Sequence, residues 1–114
     1  MMTSTIVKQV ESWFIQNEQR LSTSFPIVQF RLQYAADRMQ GKVNIELEGE
    51  AAGISITFWN KGDVTALVLE KLNNNDYPID DRLLTPNDDI PSLLNSYVEK
   101  LHNLTNQAAS NHNT

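Results

Sequence analysis

The chain contains no cysteine, and that one gap removes disulfide frameworks, thiolate nucleophiles and cysteine-bound zinc or iron–sulfur centres together. A reducing cytoplasm is the expected setting. Glycine is scarce, with four residues spread over single turns, so no glycine-rich loop can cradle a phosphate. Histidine is scarcer still. His102 and His112 are the two neutral-pH proton carriers, and neither has a Ser or carboxylate at a spacing that suggests acid–base or nucleophilic catalysis. Long apolar runs are missing as well. None approaches the roughly 20 residues that span a bilayer, and the first twenty residues lack the basic start and apolar stretch of a signal peptide. The expectation is a protein that is not an enzyme, with no cofactor and no metal.

Positive charge is also in short supply. Nine Lys and Arg face fourteen Asp and Glu, a formal charge of −5 with pI near 4.8. Non-specific nucleic-acid binding needs clustered cations to displace counterions from phosphates, so neither nucleic acid nor an anionic membrane is an expected partner. A basic protein surface is the natural complement, because opposite potentials steer encounter.

What is present is alternation. From Lys42 to Leu69 apolar and polar residues exchange places across three consecutive segments joined by short turns, the period of an antiparallel sheet with one buried and one wet face. Val43, Ile45 and Leu47 oppose Lys42, Asn44, Glu46 and Glu48. Ile54, Ile56 and Phe58 then oppose Ser55, Thr57 and Trp59, so parity puts an indole on the polar face. Asn60-Lys61-Gly62-Asp63 is a tight hairpin signal, with Gly62 able to take positive φ. The strand Val64 to Leu69 is apolar on both parities, which implies a central or covered position. An earlier strand runs over Ile27 to Tyr34. After a polar loop at 73–76, an edge strand around 79–84 is weakened by Pro78.

Helices flank these strands. Ile6, Val10, Trp13, Phe14 and Leu21 recur at helical spacing, and Ser22, Thr23 and Ser24 are expected to end the first helix. The second starts near Pro91, with Asp88 and Asp89 ahead of it, and carries Leu93, Leu94, Tyr97, Val98, Leu101 and Leu104 on one stripe. The predicted fold is α+β: a two-layer sandwich in which an antiparallel four- to five-stranded meander sheet has N- and C-terminal helices packed on one face. Residues 1–105 form a single domain, and 106–114 are expected to be a disordered polar tail.

Seven residues are candidates for contact with a partner: Glu46, Glu48, Trp59, Asp63, Asp76, Asp80 and Asp81. An aromatic ringed by carboxylates suits a basic protein surface. Trp59 has two readings at this point: it anchors a partner, or it is structural, packed beneath the loop after the fourth strand or turned inward by a strand bulge. Asp80-Asp81 and Asp88-Asp89 could in principle hold a cation, but neighbours on a strand point apart and calcium-loop spacing is missing. Solvation and helix capping are the simpler roles.

The stretch ISITFWNKGDVTALVLE, residues 54–70, followed by a polar loop, a short acidic connection and an amphipathic helix, resembles small bacterial immunity proteins of polymorphic toxin systems, in particular the TriTu type. The matching positions are Trp59, Gly62 and the strand Val64 to Leu69. The resemblance extends over roughly residues 5 to 105 in size, acidity and element order. It implies a cytoplasmic immunity protein, monomer or weak homodimer, that binds and neutralises one secreted toxin without chemistry of its own. The alternative function is a type-III-like secretion chaperone or adaptor acting as a dimer.

Overall fold

The computed structural model describes residues 2–33, 42–59 and 62–112, with side chains over 6–32, 42–59 and 62–106. Helix α1, Met2–Ser24, leads into strands β1 (Ile27–Gln33), β2 (Lys42–Glu48), β3 (Ala52–Trp59), β4 (Asp63–Glu70) and β5 (Asn75–Leu83), and helix α2, Ile90–His112, closes the order. Each strand pairs with its chain neighbour, giving a five-stranded antiparallel sheet in the order β1-β2-β3-β4-β5. This is the α+β meander anticipated from the alternation, with its fifth strand present and at an edge.

Strand parity sorts the two faces. Val43, Ile45, Leu47, Ile54, Ile56, Phe58, Val64, Ala66 and Val68 are buried and form one cluster with Ile6, Val10, Trp13, Phe14 and Leu21 of α1 and Leu94, Tyr97, Val98 and Leu101 of α2. Both helices therefore lie on one face. Their mutual contact includes Trp13, whose indole Nε1 donates to Asn95 Oδ1 at 3.0 Å. Among the described residues, no helix is long and apolar enough to cross a membrane.

Two boundaries differ from the sequence expectation, while the start of α2 matches it, with Pro91 in the first turn. Helix α1 runs through Ser22 and Thr23 because a hydroxyl can stay inside a helix by bonding back one turn, as Thr23 Oγ1 does to Gln19 O at 2.9 Å. It ends where Phe25 N caps Leu21 O at 2.8 Å and Pro26 forbids another turn. Helix α2 begins at Ile90, with Asp89 as N-cap: its Oδ2 accepts from Ser92 N at 3.1 Å, satisfying one of the donors a helix start leaves bare. The tail expected to be disordered is instead helical through His112, since extending a nucleated helix gains a hydrogen bond for each residue fixed. Residues 113 and 114, like Tyr34, Asn60 and Lys61, lie outside the described residues.

The turns follow their chemistry. Gly62 has φ of 101° and its N–H reaches Trp59 O at 2.9 Å, a conformation in which a Cβ would be strained. Asn74 takes φ of 49° at the end of the β4–β5 turn, a role its short polar side chain tolerates. That turn closes earlier than expected, so Asn75 and Asp76 already belong to β5.

Candidate functional site

The sheet has a second face, and no element of the described chain covers it. It carries Gln29 and Arg31 of β1, the even-numbered residues of β2, Gly53, Ser55, Thr57 and Trp59 of β3, and Asp63, Thr65, Leu67 and Leu69 of β4. The two leucines stand out chemically. Leu67 is 44% exposed and Leu69 38%, so the strand that reads as apolar on both sides is central in the sheet without being covered on its second face. Leu83 at the β5 end is 67% exposed.

Register locates each candidate side chain. Glu48, Gly53, Leu69 and Asp76 form one row across four strands, and Glu46, Ser55, Leu67 and Pro78 form the next. Gly53 and Ser55 project little above the pleat, leaving a shallow trough of about 220 Å³ along β3, with Glu46 and Glu48 on one bank, Leu67 and Leu69 on the other and Asp76 at the far margin. Glu46 lies 4.0 Å from Arg31, a separation at which exposed charges attract weakly. Glu48 pairs closely with Lys71 of the β4–β5 turn.

Trp59 occupies the other end of the same face. It pairs with Lys42 in register, and the Lys42 ammonium sits 5.0 Å from the ring centroid, within cation–π range. Indole Nε1 donates to Thr65 Oγ1 at 3.3 Å, and Thr65 in turn donates to Asp81 Oδ1 at 3.4 Å. The indole is half-buried, with a cation and a hydroxyl fixing it. Asp63, also half-buried, begins the next strand beside it. Trp59 lies six positions along β3 from Gly53, about 20 Å along the strand, so the patch imagined as an indole ringed by carboxylates is two sites on one surface: Trp59 with Asp63 and Asp81, and the trough with Glu46, Glu48 and Asp76.

Asp80 is not on this face. A register shift opposite Ala66 and Leu67 pairs those residues with Asp80 and Pro78 and leaves Ile79 as an extra residue in β5, a β-bulge. Past the bulge the parity of β5 is inverted, so Asp80 turns toward the helices while Asp81 turns outward. There Tyr97 Oη donates to Asp80 Oδ2 at 2.6 Å, Arg82 Nε lies 3.2 Å from Asp80 Oδ1, and Arg82 engages both oxygens of Asp88 at 2.9 Å each. Burial, then the neighbouring Asp80, pushes the Tyr97 hydroxyl well above its usual range. The Arg82 fork, joined by the backbone and hydroxyl of Thr85, holds the Asp88 carboxyl well below its own. This network fastens β5 to α2; it faces away from the uncovered surface.

On the helix side of the sheet, where Tyr77 pairs with buried Val68, burial and a hydrogen bond to Glu70 raise the Tyr77 hydroxyl. His102 of α2 packs at a tilt against Phe25, 5.0 Å between ring centroids. Among the described residues, no three of His, Asp and Glu converge closely enough to hold a metal ion.

Sequence reasoning passed over Lys42, Thr65 and the small-residue lane of Gly53 and Ser55. Only the pairing register brings them to Trp59 and to the glutamates. Comparison with family models, curated proteins and solved structures finds no match for this chain.

Proposed function

We propose that this protein is an immunity protein, which binds a cognate secreted toxin domain through the uncovered sheet face and neutralises it without catalysis. The observation that carries this reading is the face itself: exposed Leu67 and Leu69 stand between Glu46, Glu48 and Asp76 in adjoining rows, on a sheet whose other side is sealed by helices. A rigid strand framework presenting apolar centre and acidic margin is preorganised for a basic protein surface, and preorganisation slows release more than it changes encounter. The face measures about 500 Å² from strand spacing and rise, less than the roughly 800 Å² per partner of a standard interface. The Trp59 hairpin and the β4–β5 turn complete the contact. The resemblance of residues 54–70 to TriTu-type immunity proteins points the same way, and it makes the cytoplasm of a toxin-producing bacterium the setting.

Co-purification with the polypeptide encoded immediately upstream tests the reading. A complex of submicromolar affinity that suppresses the neighbour's toxicity is expected; affinity no tighter than micromolar counts against it.

The same exposed leucines support a second reading, a secretion chaperone or adaptor that pairs with its own copy across this face. Sedimentation velocity separates the two. A monomer at micromolar concentration fits the immunity protein, and a stable dimer that Leu67→Lys dissolves fits the chaperone.

A further inference from the structure

The trough along β3 has two unlike banks, and that asymmetry specifies an occupant. One bank is hydrocarbon, Leu67 and Leu69, with Asp76 beyond it on β5; the other is carboxylate, Glu46 and Glu48. Its floor is low because of Gly53, where an added Cβ would meet Leu47 O at 3.1 Å, and because Ser55 is held down by Asn44 Nδ2, which donates to its Oγ at 3.0 Å. A side chain that lies here needs an apolar stem and a cationic head. Long basic side chains have that construction and bury their methylenes while keeping the charge at a polar margin.

We infer that this trough receives one arginine side chain of the partner protein, its methylenes on Leu67 and Leu69 and its guanidinium at Glu46 and Glu48. Arginine fits better than lysine because a planar fork can engage two carboxylates at once, whereas an ammonium is a compact, strongly hydrated point. The present pairings leave room for it: Arg31 stands 4.0 Å from Glu46, too far for a tight hydrogen bond, and Lys71 engages Glu48 through one oxygen. The inference rests on the protein-binding reading above and names the subsite at which that binding is anchored.

The test uses the full chain labelled at backbone amides and leucine methyls and titrated with N-acetyl-arginine methylamide, followed by NMR. Saturable shifts confined to Leu67, Leu69, Gly53 and Ser55 are expected, with the uncharged citrulline analogue at least about tenfold weaker because charge-assisted hydrogen bonds are lost. Ser55→Leu, which fills the lane, should abolish the shifts, and Glu46→Gln with Glu48→Gln should weaken them without altering the fold. Shifts spread evenly over all surface carboxylates, or unchanged in both variants, overturn the inference. A toxin that binds wild type and Ser55→Leu equally well also overturns it while leaving the immunity reading intact; a missing toxin complex beside a saturable arginine site sinks the immunity reading alone.

Discussion

The indole of Trp59 is fixed from two sides, by the Lys42 ammonium above its ring and by Thr65 at its nitrogen, so little side-chain freedom remains for a partner to remove. Trp59→Ala should weaken the toxin complex by at least about 2 kcal/mol, measured by calorimetry, while the melting temperature moves little because the ring is half outside the core. Trp13 offers a control: it is 5% exposed, and quenching by acrylamide should reach Trp59 and not Trp13 until the partner shields it. Tyr97 titrates on the opposite side of the sheet. Its folded-state pKa is raised, so its stabilising contribution is complete below pH about 10, the ordinary tyrosine value, and is lost as pH climbs toward the elevated one. Tyr97→Phe should cost about 1–2 kcal/mol at neutral pH and flatten that alkaline decline in pH-dependent chemical denaturation. For Asp88 the sign is opposite. Its depressed carboxyl adds stability above the ordinary aspartate value, and that contribution fades as acidification passes below it.

At the level of elements, the helix boundaries rest on single caps. Asp89→Ala should lower stability by about 1 kcal/mol through loss of the N-cap bond to Ser92, and Gly62→Ala by about 1–2 kcal/mol because φ of 101° is hostile to a Cβ; thermal melts of both variants check this. Strands β2 and β3 were legible because their side chains alternate without a fault, and β4 as an unbroken apolar run; parity alone put Trp59, Glu46 and Glu48 on the wet face. Strand β5 was legible as an edge strand but its faces were not, because its bulge at Ile79 inverts a parity that the sequence cannot register. Asp80 and Asp81 look equivalent as neighbours in a chain, yet one meets Tyr97 and the other Thr65. The polar end of α2 was hidden for a different reason. As a sequence its Asn, Gln and Ala carry no apolar stripe, and their helicity comes from propagation along an established helix. The trough was invisible in one dimension, since its two banks lie on β2 and β4 and meet only through register.

For the molecule as a whole, the −5 charge should appear in kinetics before it appears in affinity. Association with a basic toxin is expected to slow markedly as salt rises from about 0.01 M to 0.15 M, where the screening length falls from roughly 30 Å to 8 Å, with dissociation changing much less; stopped-flow mixing at several ionic strengths reads this directly. The strand order has another consequence. Because every ladder joins consecutive strands, the sheet can zip up from local hairpins, whereas the lid over its oily side is made from the two extremes of the chain, clasped through Trp13 and Asn95. During synthesis α1 emerges before the strands and α2 after them, so the nascent chain holds a complete sheet with half its roof missing until α2 has left the ribosome. In that interval the bare half of the oily side is a surface that chaperones are expected to recognise.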